Sequence, residues 1–154
     1  MLVGLISDTH GLVRPEIFAA LAGVELILHA GDVGGAGVLT EIGAIAPVYA
    51  VYGNTDAPGG NLPAELDLDV EGLSIHVSHG HEVGSPTPAR LLARSNADVL
   101  VFGHTHKPLV ERNGARLVVN PGAAGPRRFN LKPSVARMAI ANGQADVQIV
   151  WLGP

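Results

Sequence analysis

The sequence predicts an α/β fold of two packed mixed β-sheets, a β-sandwich flanked by helices, as a single domain over residues 1–154. Three observations support this prediction. The chain has 154 residues and 47% hydrophobic residues, which is enough to bury a sizeable core. The first half alternates apolar runs with short helical patterns, which is typical of parallel βαβ units. The second half contains turn signals between short apolar runs, which indicate antiparallel hairpins.

The first half predicts three strands separated by two helices. Continuous apolar runs predict strands that are buried on both faces. Pro15 stands at a tolerated first-turn position, and Pro47 is expected to stop the second helix. The predicted elements are a strand over 2–7, a helix over 15–21, a strand over 26–29, a helix over 38–46 and a strand over 48–52.

The second half predicts three hairpins, one helix and one further buried strand. Asn113-Gly114 and Asn142-Gly143 are strong signals for two-residue hairpin turns. The predicted elements are a hairpin of 67–70 with 73–77, a helix over 89–95, a strand over 99–102, a hairpin of 109–112 with 116–119 and a hairpin of 135–140 with 147–151. Pro and Gly cluster around 57–63 and 121–126, which predicts loops there.

Composition excludes several classes of function. With no cysteine, the chain has no disulfide, no thiolate metal site and no cysteine nucleophile. A net charge of −4 without a basic run, and only 4% aromatic residues, argue against a dedicated nucleic-acid surface or a base-stacking platform. The longest stretch without charged residues, 42–55, is too short to span a membrane, and the N-terminus lacks a basic signal region. We therefore expect a cytoplasmic protein without a membrane partner; the oligomeric state stays open, with a homodimer as one candidate.

Residue types that bind metals follow five of the predicted strands. Because ligands bind beyond the carboxyl ends of strands in α/β sheets, we expect these side chains to lie together. The candidate ligands are Asp8, His10, Asp32, Asn54, His79, His104 and His106. Taken singly, the aspartates could cap helices and the asparagine could hold a turn. The remaining histidines, His29, His76 and His81, are first interpreted as ordinary packing or surface residues, with His81 a candidate support for the ligands.

The chemistry of this ligand set predicts two divalent cations. Imidazole combined with carboxylate and amide oxygen suits Mn best, with Ni, Fe, Zn and Co also open. Seven ligands are too many for one tetrahedral site, but they suffice for two ions if one carboxylate bridges them. Two ions about 3.5–4 Å apart form the clamp of phosphoryl-transfer hydrolases, in which a bridging hydroxide attacks phosphorus in line.

These motifs resemble the signature of the calcineurin-like metallophosphoesterase family. The similarity covers 8–106 and comprises Asp-x-His, Gly-Asp, Gly-Asn, a histidine after a strand and Gly-His-x-His. The compact length is similar to that of the small prokaryotic phosphodiesterase branch, which also includes the retromer subunit Vps29. The segments 120–122 and 126–127 resemble the NPGS…PR stretch of that branch, with Ala123 in place of Ser.

The resemblance implies a metallophosphoesterase-like β-sandwich and a role for each ligand. The first metal would be held by Asp8, His10, Asp32 and His106, and the second by Asp32, Asn54, His79 and His104. Asp32 would bridge the two ions, and Asp32, Asn54 and His79 would be catalytic. Asn54 and Arg127 are candidate ligands of the substrate phosphate, since guanidinium groups bind oxyanions in a bidentate manner. For Arg128 the sequence favours a solvated loop position.

One position departs from the wider family pattern. Many members have a histidine after Gly-Asn that protonates the leaving group, and Thr55 stands there in this chain. General-acid catalysis contributes about 10²–10⁴-fold, so we expect a preference for activated phosphodiesters. Asp56 matches an aspartate of the small branch and is a candidate catalytic residue. It could orient a neighbouring histidine or cap the loop.

The leading hypothesis is therefore a metal-dependent phosphodiesterase that acts on small phosphodiesters. A second hypothesis is a Vps29-like scaffold that retains the fold for protein interactions; such a scaffold would be expected to lose ligands, and none is lost. A third is a nucleotide pyrophosphatase or nuclease at the same site. The low basic charge argues against long nucleic acids, but nucleotide-like diesters remain open.

Overall fold

The computed structural model describes residues 1–57, 61–128 and 130–153, and its strands form two five-stranded sheets. The first sheet contains β1 (Leu2–Ile6), β2 (Leu26–His29), β3 (Val48–Ala50), β9 (Ser134–Ala141) and β10 (Gln144–Trp151). The second contains β4 (Glu65–Val70), β5 (Leu73–Ser78), β6 (Val99–Val101), β7 (Leu109–Asn113) and β8 (Arg116–Asn120). The helices are α1 (Glu16–Ala20), α2 (Ala36–Ile42) and α3 (Pro88–Arg94). The predicted α/β class with two mixed sheets is confirmed.

The first sheet has the strand order β10-β9-β1-β2-β3. Strands β1, β2 and β3 run parallel, as the alternation of strands and helices predicts. The hairpin of β9 and β10 then adds to the free side of β1 in the antiparallel direction, with Leu5 opposite Ala136. The last hairpin of the chain therefore completes the sheet that the first strands begin.

The second sheet has the strand order β4-β5-β6-β8-β7 and is mixed, as the predicted fold class requires. The β4–β5 and β7–β8 hairpins form as expected. Strands β5, β6 and β8 run parallel to one another, a pairing that the hairpin signals of this half did not indicate. Helix α3 connects β5 to β6 as a crossover, and β7 lies at the edge, which allows β8 to pair with β6.

Several element boundaries also differ from the prediction. Helix α2 begins two residues earlier than predicted and ends at Ile42, because Gly43 ends the helix before Pro47 is reached. A short 3₁₀ helix, His81–Val83, was not predicted. Of the predicted loop at 57–63, residues 58–60 lie outside the described residues. Among the described helices, none has the length and apolar character needed to cross a bilayer.

The core has three layers because most central strands are buried on both faces. The inner faces of the two sheets form one apolar cluster, in which Leu5 and Leu28 pack near Ile75 and Val101. The outer face of the first sheet packs against α1 and α2, and the outer face of the second packs against α3. This double burial fixes the strand ends from both sides, and the candidate ligands follow these ends.

We expect Leu28→Ala to lower the free energy of unfolding by about 2–5 kcal/mol, because it would leave a cavity between the sheets. The Leu28 side chain is fully buried. Leu12→Ala is the matched control, since Leu12 lies in a loop with 40% of its surface exposed. Its expected cost is below about 1 kcal/mol. Urea denaturation followed by circular dichroism measures both values, and equal losses would contradict the assigned core.

Candidate metal centre

The contacts of the structure connect all seven predicted ligands at the carboxyl ends of five strands. Residues after β1, β2 and β3 come from the first sheet, and residues after β5 and β6 come from the second. Asp8 and Asp32 lie among His10, His79 and His106, while the His104 ring lies 5.2 Å from the His79 ring and Nδ1 of His104 bonds to Asn54. The ligand atoms form two overlapping groups, each within 4.8 Å: Asp8 with His10 and His106, and Asp8 with Asp32 and His79.

Five of these seven residues have left-handed backbone conformations. Their φ angles are 53° for Asp8, 46° for His10, 55° for Asp32, 72° for His104 and 65° for His106. Such conformations cost of order 1–3 kcal/mol each for residues other than glycine and concentrate at functional sites. Among the described residues, the only other non-glycine residues with positive φ are Glu71 and Asn142, both in hairpin turns. The turns after the strands therefore aim the ligand side chains at one another.

The Asp8 carboxylate is fully buried and uses only one oxygen for hydrogen bonds. Its Oδ2 accepts the Ser7 hydroxyl at 2.7 Å and the His104 backbone N–H at 3.1 Å. Its Oδ1 faces three imidazole Nε2 atoms, those of His106 at 3.4 Å, His10 at 3.8 Å and His79 at 3.8 Å. One oxygen is therefore held in place while the other points at the ligand cluster.

Asp32 divides its two oxygens in the same way. Its Oδ1 accepts the Thr55 backbone N–H at 2.9 Å, and its Oδ2 lies 3.2 Å from His79 Nε2 and 3.7 Å from His10 Nε2. Burial raises the pKa of the Asp32 carboxyl, but the adjacent His79 imidazole and the hydrogen bond from the Thr55 backbone outweigh it and hold the pKa well below its usual range. Asp32 therefore stays ionised, with its inner oxygen between a histidine of each implied metal set.

His79 is fully buried and is oriented by its second nitrogen. Its Nδ1–H donates to the Ala30 carbonyl at 2.8 Å, which turns Nε2 toward the carboxylates. This arrangement is typical of metal-binding histidines, whose outer N–H is fixed by a carbonyl or carboxylate. Burial lowers the pKa of His79, but the adjacent Asp32 carboxylate and the charge of Asp8 raise it above its ordinary value. The site thus attracts positive charge at Nε2.

His104 and Asn54 form the more exposed part of the site. His104 Nδ1 lies 3.1 Å from Asn54 Oδ1, a distance at which an Nδ1–H would donate to the amide oxygen. The amide oxygen has two lone pairs, so it can accept this bond and still face a cation. Asn54 is exposed, whereas Asp8, Asp32, His79 and His106 are buried. Substrate would therefore approach from the side of His104 and Asn54.

The donor set fits divalent cations, because buried inward atoms lack other partners. Asp8 Oδ1, His10 Nε2 and His79 Nε2 are buried and have no hydrogen-bond partner in the described parts of the chain. Leaving a buried polar group unsatisfied costs about 1–3 kcal/mol, and more for a charged group. Two carboxylates and several imidazoles around one point are the ligand types that Mn, Fe, Ni and Zn accept. Cations held by the two overlapping groups would satisfy all three atoms.

His29 supports the centre without facing it. The Gly31 backbone N–H donates to its Nδ1 at 3.1 Å, so its Nε2–H donates to the Thr9 hydroxyl at 3.0 Å. Thr9 passes the bond on to the Val33 carbonyl at 2.7 Å. Burial lowers the pKa of His29 to about 4, so this ring is neutral at pH 7. The sequence interpreted His29 as a packing residue, and its contacts agree with that, although they also tie the loops after β1 and β2 together.

Asp56 makes the contacts of a loop cap. Its carboxylate accepts backbone N–H groups from Gly53 at 2.9 Å, Val33 at 3.0 Å and Gly34 at 3.1 Å. Burial raises the pKa of Asp56, but these three hydrogen bonds outweigh it and lower the pKa. Of the two roles that the sequence left open, the contacts match capping. A catalytic role for Asp56 stays a prediction.

Asn120 is a supporting residue that spacing arguments did not identify. It is fully buried, and its Nδ2 donates to the Gly103 carbonyl at 3.1 Å and to the Thr105 hydroxyl at 3.0 Å. Its Oδ1 accepts the Gly122 N–H at 2.9 Å. These bonds fix the segment that carries His104. The Asn-Pro-Gly sequence that resembles the small branch was the available signal.

Two glycines next to ligands are required by close approach. A Cβ on Gly53 would overlap Asp32 Oδ1 and lie 2.7 Å from Asp32 Cγ. A Cβ on Gly103 would overlap the Ser7 hydroxyl and lie 2.8 Å from Asp8 Oδ2. The glycine in each Gly-ligand pair is therefore needed for the carboxylate of a neighbouring loop. The sequence pattern contained both pairs but did not indicate this reason.

The two candidate arginines are both exposed. Arg128 also lines a cavity of about 500 Å³ together with His104 and His106. Burial is the largest cause that lowers the pKa of His10, and the nearby Arg128 charge adds to it against Asp32 and Asp8. Arg128 is therefore solvated, as the sequence favoured, and also lies beside the candidate ligands; contact of either arginine with a substrate stays a prediction.

The two other histidines take different positions. His76 Nδ1 lies 2.8 Å from Asp67 Oδ1, its cross-strand partner in the β4–β5 hairpin, as expected for an ordinary residue. The His81 ring lies 5.4 Å from the His79 ring and 6.4 Å from the His104 ring. His81 therefore borders the candidate ligands, as the sequence allowed.

We expect Gly53→Ala to weaken divalent cation binding by about 10–100-fold, the range for residues that position metal ligands, because the added methyl group displaces Asp32. Calorimetric titration with Mn²⁺ measures this change. Gly37→Ala is the matched control, since Gly37 lies in α2 with open space around its Cβ position. The control should bind Mn²⁺ normally, and an unchanged affinity in Gly53→Ala would contradict the steric argument.

Comparison with known proteins agrees with this geometry. A family model, the calcineurin-like phosphoesterase superfamily domain, matches residues 1–143. A probable metallophosphoesterase of Methanothermobacter thermautotrophicus is 37% identical, over 99% of this chain and 94% of that protein. A phosphodiesterase of Methanocaldococcus jannaschii is 29% identical, over 79% of this chain and 83% of its own.

The fold is also similar to that of solved structures. The crystal structure of Vps29 from Chaetomium thermophilum superposes with a TM-score of 0.82 at 21% identity, over 97% of this chain and 95% of that one. At this identity the similarity concerns the fold alone. The family model covers most of the chain, and the first relative matches nearly its full length. The chain therefore belongs to the calcineurin-like phosphoesterase superfamily.

Proposed function

We propose that the protein is a phosphodiesterase that binds two divalent cations and hydrolyses small phosphodiesters. The observation that carries this proposal is the set of buried, unpartnered atoms Asp8 Oδ1, His10 Nε2 and His79 Nε2, which converge from both sheets. Curated relatives that are named phosphodiesterases, from Methanocaldococcus jannaschii and Escherichia coli, support the reaction class.

The contacts favour the ligand sets that the family resemblance implies. Asp8 Oδ1 lies near the Nε2 atoms of His10 and His106, which supports a first set completed by Asp32. Asp32 Oδ2 lies near His79, whose ring adjoins that of His104, which supports a second set completed by Asn54. Asp32 is the proposed bridge because the family resemblance implies it; its Oδ2 faces a histidine of each set, as Asp8 Oδ1 also does. Mn²⁺ is the first ion to test.

Two bound divalent cations would activate a water nucleophile and neutralise charge on the phosphoryl oxygens. The residues of this chain contribute orientation and further donors. Ala30 fixes the His79 ring, and Thr55 fixes the Asp32 carboxylate through its backbone N–H. Asn54 lies at the exposed side, where its amide N–H₂ can donate to a phosphoryl oxygen. Arg127 and Arg128 are the nearby guanidinium donors for the same phosphate.

The residue at position 55 limits the leaving groups that the proposed enzyme handles. Thr55 is exposed and has no group that titrates near neutral pH, so it cannot protonate a departing alkoxide. Aryl and other acidic leaving groups depart without this help. We therefore propose that activated phosphodiesters are the preferred substrates. A Vps29-like scaffold is less favoured, because all seven ligand positions are filled with competent residues.

The proposed function predicts Mn²⁺-dependent hydrolysis of bis(p-nitrophenyl) phosphate, which is lost in EDTA and restored by added metal. Metal analysis should give two ions per chain in the wild type and fewer in Asp8→Asn and His106→Gln, with activity reduced at least 100-fold. His76→Gln is the matched histidine control, since His76 pairs with Asp67 away from the ligands. Absence of metal uptake and turnover with Mn, Ni, Co and Zn would refute the proposal.

We further predict that Thr55→His raises hydrolysis of unactivated alkyl phosphodiesters by about 10²-fold, at the low end of general-acid effects, with little change for aryl esters. The exchange keeps the backbone N–H that binds Asp32. Thr55→Ala is the control and should leave both substrates unchanged. An unchanged ratio of alkyl to aryl rates in Thr55→His would show that position 55 does not supply the missing proton.

A further inference from the structure

The cationic side chains of this acidic chain differ in whether they bind other groups of the protein. Six arginine side chains bind carbonyl or carboxylate groups of the protein: Arg14, Arg90, Arg94, Arg112, Arg116 and Arg137. For Lys107, Arg127, Arg128 and Lys132, the described part of the structure contains no such partner. These four cations are exposed, and all lie in 107–132.

No acidic residue of the sequence lies between Glu111 and Asp146. Carboxylates are thus scarce in the stretch that contains three of the four unpartnered cations. A chain with a net charge of −4 has ample carboxylates elsewhere, and its other arginines find protein partners. Charge left unpaired beside a metal centre in this way is available to an anionic ligand.

These cations border a groove that begins at the metal ligands. Lys107 and Arg128 line the cavity of about 500 Å³ that also contains His104 and His106. Asn130 and Leu131 line both this cavity and a second one of about 420 Å³. The two cavities therefore adjoin at Asn130 and Leu131, and we refer to them together as the groove.

The far part of the groove has a different chemistry. The second cavity is lined by Lys132 and by Trp151, the single tryptophan of the chain. The Trp151 side chain is 54% exposed at the end of β10. A single exposed ring is common on protein surfaces and would mean little alone. Here it follows a series of cations in the same groove, and indole faces stack well on planar aromatic groups.

We propose that this groove binds the nucleoside phosphate part of the substrate, with anionic groups at Lys107 and Arg128 and an aromatic base against Trp151. This inference rests on the proposed phosphodiesterase function, because it assigns a substrate class to that same site. The ligand is a small nucleotide and not a long nucleic acid, since the groove is short and the chain is acidic overall. One tryptophan offers a position for one base, which differs from a base-stacking platform.

The test is binding of ADP to the Mn²⁺-loaded protein, with metal in excess. Trp151 emission reports stacking directly because no other tryptophan contributes. Calorimetry compares ADP with pyrophosphate, which has only the anions, and with adenosine, which has only the base. We expect ADP to quench the emission and to bind at least tenfold more tightly than either fragment.

Single substitutions test which residues of the groove contribute to ADP binding. Lys107→Gln and Arg128→Gln should each weaken ADP binding about tenfold, the loss of about 1.4 kcal/mol that is typical of one charged hydrogen bond. Lys107→Gln should change the KM for bis(p-nitrophenyl) phosphate, which lacks a second anion, less than threefold. Trp151→Ala should weaken ADP but not pyrophosphate. Arg112→Gln is the charge-matched control, because Arg112 lies on β7 beside the cavity at the opposite hairpin turns and binds the Ala145 carbonyl.

Other outcomes overturn the proposal. ADP that binds no better than pyrophosphate excludes the base position, and adenosine that binds as well as ADP excludes the anion positions. An equal effect of Arg112→Gln would reduce the result to net charge, and tighter binding of a single-stranded RNA oligomer would exclude a small nucleotide. Metal-dependent hydrolysis without ADP binding refutes the groove and leaves the proposed function intact. ADP binding that depends on Lys107 and Trp151 without hydrolysis refutes only the function.

Discussion

Two buried carboxylates, Asp8 and Asp32, determine the organisation of the rest of this molecule. Each has one oxygen held by hydrogen bonds and one oxygen turned toward imidazole nitrogens. Like charges in a protein interior are costly unless they are compensated, and a divalent cation compensates both at once. The neighbouring loops donate the hydrogen bonds that orient both carboxylates, and they help to keep Asp32 ionised. The residues at this edge of the sheets are therefore arranged as a candidate cation site would require.

The conformations of the ligand residues destabilise the folded chain, and the packing of the two sheets beneath them offsets this free-energy cost. Five ligand residues take left-handed backbone conformations, and buried acceptors such as His79 Nε2 lack hydrogen bonds within the described residues. Such strain persists only where the surrounding structure is strongly determined. The central strands provide this support because both of their faces are buried, as Leu5 on the inner face and Ile6 on the outer face illustrate. A cation that binds the folded state would stabilise it and would offset part of this free-energy cost.

Much of this could be predicted because strand ends are visible in a sequence. Apolar runs that stop at Asp8, Asp32 or His104 reveal both a buried strand and a polar residue after it. The parallel arrangement of β5, β6 and β8 could not be predicted in the same way, since it depends on which strands pair across the sheet and not on local pattern. The hairpins on either side were visible through their turn residues, but these residues do not indicate how one hairpin pairs with the next strand.

The supporting residues were harder to predict for a steric reason. Gly53 and Gly103 are needed because carboxylates from other loops fill the space of their missing side chains, and such contacts are non-local. The capping contacts of Asp56 were hard to predict for the same reason, because its partners Val33 and Gly34 are distant in the sequence. Arg127 and Arg128 illustrate this difficulty most clearly. They are adjacent residues of the same type, and only the course of the loop places Arg128 in the cavity beside His104 and His106. Sequence identifies which chemistry is available at a site, whereas the long-range packing decides which copy of a residue performs it. The course of the loop that contains Arg128 also separates the charges of the site. The carboxylates of Asp8 and Asp32 are buried, whereas the Arg128 guanidinium borders the open cavity beside His104 and His106, where a phosphate would enter. On the proposed function, an acidic chain would bind an anion without reversing its net charge.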